Sequence, residues 1–309
     1  MTRVALAADI GGSKLMVGLV REDGTVLARR RSGWDSLDKD AVVGVIVDAC
    51  RGIIAESGIR PDIAGANIPG LVDMEKRLWL EACYSGISDV PMADILEEAL
   101  GLPVWIGNDI NNCAIAEKMY GCCRDTRDFA WLTLSNGCGG ALYLNNELYL
   151  GGFGFAGEFG HITVVDEGGK RCGCGNDGCL EAHASGRAVA EYYRERTGLD
   201  VPITAQDVAE RARRGDADAI ETFRMEGVYV GKACAAIINI INPEKVVIGG
   251  GMSASFDLFE QSLRDTVNRY VYRRANSAVK IERTGLTDTA LIGAAACAFS
   301  GSALKKEEA

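Results

Sequence analysis

One pattern is written twice in this chain, and it narrows the possible folds more than any other feature. An apolar run over Arg3–Ala8 meets the polar turn Asp9-Ile-Gly-Gly-Ser-Lys14. A second run follows at Leu15–Val20, then the turn Asp23-Gly24 and a third run at Thr25–Ala28. Near residue 130 the scheme recurs. Phe129–Leu134 leads to Ser135-Asn-Gly-Cys-Gly-Gly140, then Ala141–Leu144, the turn Asn145-Asn146 and Leu148–Leu150. Short apolar runs bounded by glycine, aspartate and asparagine read as strand, turn, strand, turn, strand. Two β-meanders, each opening on a glycine-rich turn, point to a duplicated domain; a coincidence of two hairpins is the competing reading.

Helical periodicity fills the intervals. Asp40 is placed to cap a helix through Ser57, with Gly58 just past its end. Further helices are expected over Pro91–Leu100, Asp109–Tyr120, Thr204–Arg214, Asp216–Asn239 and Phe256–Tyr272, with strands at Val104–Ile106 and Lys245–Ile248. Strands alternating with helices give an α/β architecture in which helices cover sheets. The 309 residues favour two domains. The net charge of −10 argues against a surface that neutralises nucleic-acid phosphates. No apolar run is long enough to span a bilayer, and no secretory leader is read at Met1–Ala8, so a cytoplasmic protein is expected. The eleven cysteines are an odd count in a long chain, which reads as reduced thiols rather than a disulfide framework.

The densest chemistry lies between residues 158 and 181. Glu158-Phe-Gly-His161 precedes Cys172-Gly-Cys-Gly-Asn-Asp-Gly-Cys179, which runs into Leu180-Glu181. Of the two histidines in the chain, His161 and His183, one falls inside this cluster. Three thiolates and an imidazole, His161, Cys172, Cys174 and Cys179, are a sufficient tetrahedral set for structural zinc. Glycines at 173, 175 and 178 allow the tight turns such a knuckle needs. The alternative is a group of buried free cysteines beside a chance histidine. Glu158 and Glu181 are left over to face another ligand.

Two glycine-rich turns can bring backbone N–H groups to phosphate oxygens without a Cβ in the way. They are Gly11, Gly12 and Ser13, and Asn136, Gly137, Cys138, Gly139 and Gly140. Neither has P-loop spacing. Asp9 is a candidate for a phosphate-bound Mg²⁺ through water, and Lys14 is either a phosphate contact or a surface charge. Gly249, Gly250 and Gly251 end a strand where α/β folds bind ligands, with a packing turn as the alternative. Asn108-Asp109 stands between a strand and a helix. There a carboxylate is favoured as the anion and can take a proton from a hydroxyl, unless Asp109 serves only as a helix cap.

Taken in order, Asp9-Ile-Gly-Gly-Ser-Lys14, Pro69-Gly70, Asn108-Asp109-x-Asn111, Gly137-x-Gly-Gly140, Glu158-Phe-Gly-His161, the cysteine motif ending at Glu181 and Gly249–Gly251 resemble the ROK family of sugar kinases and related repressors. The resemblance covers nearly the whole chain. It implies an actin/hexokinase-like fold of two ribonuclease-H-like domains around a cleft, with residues 1–118 plus 291–309 in the smaller and 119–290 in the larger. It implies an ATP-dependent kinase acting on the primary hydroxyl of a hexose, glucose first and fructose, mannose, an N-acetylhexosamine or allose as alternatives. Asp109 is the implied catalytic base. Gly70, Asn108, Asp109, Glu158, His161 and Glu181 are implied to face the sugar. Asp9, Gly11 to Lys14, Asn136 to Gly140 and Gly249 to Gly251 are implied to face ATP with its Mg²⁺. The zinc set is the one already given. A homodimer or homotetramer is expected. A sugar-sensing repressor is the alternative outside the enzymes, disfavoured by the acidic charge and by the few residues before Asp9. Three departures stand out: Ser13 where threonine is usual, Ser135-Asn136-Gly137 where Gly-Thr-Gly is usual, and Ala82–Asp89 in place of the Asn-Leu-x-x-Trp segment of glucokinase-like members.

Overall fold

The computed structural model describes residues 2–35, 38–82, 87–272, 274 and 278–307. The chain divides into two compact units. The first runs to Asp125 and takes in the chain again from Gly285; the second is Thr126–Thr284.

In the first unit the strands are β1 (Val4–Ile10), β2 (Lys14–Arg21), β3 (Val26–Gly33), β4 (Ile63–Ile68), the short β5 (Leu71–Asp73), β6 (Leu78–Glu81) and β7 (Ser88–Val90), and β8 (Val104–Asn108). Its helices are α1 (Lys39–Ser57), α2 (Met92–Leu100) and α3 (Asp109–Tyr120). The second unit contributes β9 (Phe129–Leu134), β10 (Cys138–Leu144), β11 (Glu147–Tyr149), β12 (Lys245–Gly249) and β13 (Lys280–Arg283). Its helices are α4 (Leu180–Ala184), α5 (Gly186–Thr197), α6 (Ala205–Arg213), α7 (Ala217–Ile241) and α8 (Phe256–Tyr270). The last helix, α9 (Thr289–Glu307), returns to the first unit.

The two main sheets have the same topology. The first is ordered β3-β2-β1-β4-β8 and the second β11-β10-β9-β12-β13. In each, the meander strands pair antiparallel, and the first of them pairs parallel with the next strand along the chain. The repeated meander is therefore the edge of a repeated sheet. A third, three-stranded sheet, β5-β6-β7, is confined to the first unit.

Period-two patterning sorts β1 between two cores. Leu6, Ala8 and Ile10 face a cluster completed by α1 and α2, including Ile46, Cys50, Ile53 and Leu96. Ala5 and Ala7 face Leu291, Ala294, Ala298 and Phe299 of α9. The small side chains on that face let the helix come close. At Gly65 in β4, an added Cβ would lie 1.9 Å from the Ala294 carbonyl oxygen. Helix α1 begins at Lys39, with the Asp38 carboxylate accepting from Ala41 N–H; Asp40 falls in the first turn instead of at the cap. In the second unit a large apolar cluster forms on one face of the sheet, and α7 packs on α8 through Gly227 and Gly231. A Cβ at Gly227 would reach 2.0 Å from Ser262 Oγ. Among the described residues no helix is long and apolar enough to cross a membrane.

The close contact at Gly65 makes a clear expectation. Gly65→Ala forces a methyl into backbone and costs about 3 kcal/mol, lowering Tm by about 5–10 °C. Gly44→Ala, in exposed helix interior with nothing within 4 Å of the new Cβ, gains about 1 kcal/mol. Differential scanning calorimetry of both variants checks the pair.

Candidate functional site

Three parallel strands of the first unit, β1, β4 and β8, end side by side. Their register sets Asp9 beside Asn67 and Asn67 beside Gly107, one residue before Asn108-Asp109. Asn108 is the cap of α3: its Oδ1 accepts from Ile110 N–H at 3.0 Å and Asn111 N–H at 3.2 Å, while its Nδ2 donates to the Gly70 carbonyl at 3.2 Å. That division of labour matters. Asp109 is spared the capping role and sits as the first residue of the helix, also accepting from Ile110 N–H. Desolvation by the surrounding protein, and then the charge of Asp9, push its pKa up from 3.8 to about 7. Burial likewise raises Asp9, against a hydrogen bond from Asn67 that lowers it. Gly70 holds φ of 81°, and a Cβ there would meet the Glu81 carbonyl at 2.2 Å. The first glycine turn is closed by Gly11 N–H donating to the Lys14 carbonyl at 2.8 Å. Gly12, Ser13 and Lys14 are exposed and open to a ligand. Of the segment Ala82–Asp89, residues 83–86 lie outside the described residues.

In the second unit the corresponding turn is more tightly enclosed. Asn136 is exposed, but Cys138, Gly139 and Gly140 are buried in β10. The turn is closed by Ser135 N–H donating to the Gly137 carbonyl at 2.8 Å. It is pinned to the start of α5: Gly186 N–H donates to the Ser135 carbonyl at 2.7 Å and Arg187 Nε to the Asn136 carbonyl at 3.2 Å. Glu181 accepts from Cys138 N–H at 3.0 Å, and a Cβ at Gly137 would come within 2.5 Å of the same carboxylate. Gly160 lies on the Cys138 carbonyl, where a Cβ would reach 2.0 Å. The turn is thus interlocked with both flanks of the cysteine cluster. Gly249 and Gly250 are glycines for packing, since Cβ atoms there would strike Trp131 and Leu134. Gly251 is exposed, with nothing nearer its Cβ than Ser135 Oγ at 3.9 Å.

The four candidate metal ligands converge. The donor atoms of His161, Cys172, Cys174 and Cys179 all lie within 4.8 Å of one another. Cys174 Sγ and Cys179 Sγ are 3.7 Å apart, and Cys172 Sγ is 3.7 Å from His161 Nδ1. Zinc–sulfur bonds of about 2.3 Å at tetrahedral angles require sulfur pairs about 3.8 Å apart, so the set fits that ion. His161 turns Nδ1 to the sulfurs and Nε2 to Glu158, 3.8 Å from Oε2. Thr163 bridges Cys179, and Gly178, at φ 77°, passes so close to the Val165 carbonyl that a Cβ would reach 1.8 Å.

The other histidine has a different role. His183 is buried; its Nε2 accepts from Lys170 N–H at 3.1 Å and its Nδ1 lies 2.6 Å from the Tyr192 hydroxyl. Desolvation, with Lys170 and Lys232, lowers its pKa and keeps it a neutral packing group. The spacing-based reading did not single out Asn67, Asn112 or Arg187.

The sequence model of the ROK family matches residues 5–300. A glucokinase of Halalkalibacterium halodurans is 30% identical over 93% of this chain and 92% of its own length. The crystal structure of a ROK family glucokinase from Streptomyces griseus, in complex with glucose and AMPPNP, superposes with a TM-score of 0.84 at 30% identity, covering 96% of this chain and 100% of that one. A ROK family transcriptional regulator, homolog of the E. coli MLC protein, superposes with a TM-score of 0.88 at 26% identity, covering 96% of this chain and 78% of that one.

The raised pKa of Asp109 has a consequence for stability. The folded state holds this proton to about pH 7, the unfolded chain only to about pH 4. The stabilisation is therefore present at low pH and lost as pH rises between those values, by at most about 4 kcal/mol. Asp109→Asn carries no such charge. Urea unfolding at pH 8 should find the variant more stable than wild type, and at pH 5 the difference should shrink toward zero.

Proposed function

The chain belongs to the ROK family, and from that premise we propose that it is an ATP-dependent kinase that phosphorylates the primary hydroxyl of a hexose, glucose foremost. The observation that carries the reading is Asp109: a carboxylate spared the capping role and given a pKa of about 7, where a general base works best at neutral pH. In the reaction its carboxylate takes the hydroxyl proton as the sugar oxygen attacks the γ-phosphorus, and ADP departs. Asn108, Gly70, Glu158, His161 and Glu181 are the proposed sugar contacts. Carboxylates, an amide and an imidazole suit hydroxyls that both donate and accept.

The exposed Gly12, Ser13 and Lys14, together with Asn136 and Gly251, are the proposed nucleotide contacts. Mg²⁺ supplies charge neutralisation when it arrives with ATP, and Asp9 is the first-unit carboxylate suited to face it. Glucokinase relatives support the enzyme reading over the sugar-sensing regulator, and so does a poised base for which ligand sensing alone has no use. Zinc held by His161, Cys172, Cys174 and Cys179 supplies a rigid cross-link; four protein ligands leave no open position for Lewis-acid chemistry.

A coupled assay with Mg·ATP across glucose, fructose, mannose, N-acetylmannosamine and allose tests the proposal. Turnover is expected with at least one hexose, greatest with glucose, and Asp109→Asn should lower kcat by about 10²–10⁴-fold. Absence of turnover with every sugar contradicts the kinase reading.

Metal analysis should find one zinc per chain. Cys174→Ala should lose it, lower Tm and weaken glucose binding in calorimetry, because His161 and Glu181 are no longer held. A metal-free wild-type protein with unchanged stability contradicts the assignment.

A further inference from the structure

A strand buried along its whole length is most stably built from apolar side chains. Strand β4 is buried at every position, yet it carries Asn67, with 0% exposure, at the position paired in register with Asp9. Asn67 Nδ2 donates to Asp9 Oδ1 at 2.9 Å and to the Ala290 carbonyl at 2.7 Å, and its Oδ1 accepts from Asn112 Nδ2 at 2.9 Å. Both partners of the amino group are acceptors, so the amide has one orientation that satisfies it. Asn112, 1% exposed, fits because two glycines make room. A Cβ at Gly107 would lie 2.5 Å from its Oδ1, and one at Gly293 would lie 2.8 Å from its carbonyl oxygen.

We propose that Asn67 is a positioning residue: it fixes the rotamer of the Asp9 carboxylate and stabilises its anion, so that Asp9 meets the magnesium–nucleotide in one geometry. The inference rests on the kinase reading given above. The same amide ties together three elements: β1, which ends at Asp9, α3, which begins at Asp109, and the start of α9 at Ala290. A hydrogen bond to a charged group in a desolvated site is among the stronger ones, and its loss leaves the acceptor free to turn. Asn112 has a different part: its Nδ2 donates to the far side of the amide, Asn67 Oδ1, rather than to a carboxylate.

The test compares Asn67→Leu with Asn112→Leu. Calorimetric titration with Mg²⁺ and a non-hydrolysable ATP analogue is expected to show at least about tenfold weaker binding for Asn67→Leu. In turnover, KM for Mg·ATP should rise by a similar factor while KM for the hexose stays within about twofold. Asn112→Leu should lower Tm comparably but leave nucleotide binding within about twofold of wild type. If Asn67→Leu does not fold, Asn67→Ser, too short to reach Asp9, replaces it and the same tenfold loss is expected. Equal nucleotide affinity in the Asn67 variants and wild type, or an equal loss in Asn112→Leu, overturns the proposal in favour of a purely structural amide. A wild-type protein that binds magnesium–nucleotide yet turns over no hexose defeats the kinase reading alone, and the titrations still decide Asn67. A wild-type protein that binds no magnesium–nucleotide overturns both.

Discussion

Two carboxylates that the fold brings to the ends of parallel strands, Asp9 and Asp109, repel each other in a poorly solvated recess. The elements around them place and bond both groups. The sheet order β3-β2-β1-β4-β8 puts one strand, β4, between the strand that carries Asp9 and the strand that leads to Asp109. The residue at the matching position of β4 is Asn67, which donates to Asp9. Asn108 takes the cap of α3, which leaves the Asp109 carboxylate with the Ile110 N–H but without the capping role. Burial raises both carboxyls: Asp9 is raised against the opposing hydrogen bond from Asn67, and Asp109 is pushed up to about 7 by burial and the charge of Asp9. A carboxyl raised toward neutrality by burial and a neighbouring charge is both ionisable and basic at neutral pH.

The second unit meets another constraint, that of holding irregular backbone in place. The stretch between Gly151 and Cys179 has little regular structure beyond the 3₁₀ turn Phe159–His161. Backbone that is not paired in helices or sheets must be fixed by other means. Here the fixing is done by the convergence of His161, Cys172, Cys174 and Cys179 and by the interlock of Glu181 and Gly160 with Cys138. The interlock reaches further than residue spacing suggests. Spacing alone assigns the cysteine cluster to His161 and Glu181. The structure adds that Glu181 is bonded to the glycine turn opening β10, so strain in one segment is felt in the other.

Much of this was legible in the sequence where the signal is local. The paired meanders showed in the alternation of apolar runs and glycine turns, and both became the edges of sheets with one topology. The cysteine cluster showed in its spacing, because ligands close in sequence need only a tight turn to converge. Asp109 could be seen, though spacing left open whether it was a cap; only the side-chain geometry of Asn108 separates the two roles. The glycine turns were read as ligand loops, with a packing turn as the alternative at Gly249–Gly251. Three-dimensional packing divides them: Gly12 and Gly251 are open, whereas Gly137, Gly249 and Gly250 are glycines because protein atoms occupy the Cβ position. The short strands β5 to β7 carry too few residues for a periodic signal. Asn67 and Asn112 were missed because each is a single polar residue in an apolar context, and their meaning lies in partners at sequence distances of 58 and 45. A buried strand interrupted by asparagine was the available clue.

The account depends above all on Asp109 being the carboxyl group that titrates near neutral pH. Carbon-13 NMR of protein labelled at the aspartate side-chain carboxyl carbon, followed from pH 4 to pH 9, measures this directly, with the Asp109→Asn spectrum identifying the resonance. The account predicts that the resonance missing from the variant titrates near pH 7. A midpoint near 4, with Asp109 behaving as an ordinary solvated carboxylate, would contradict it.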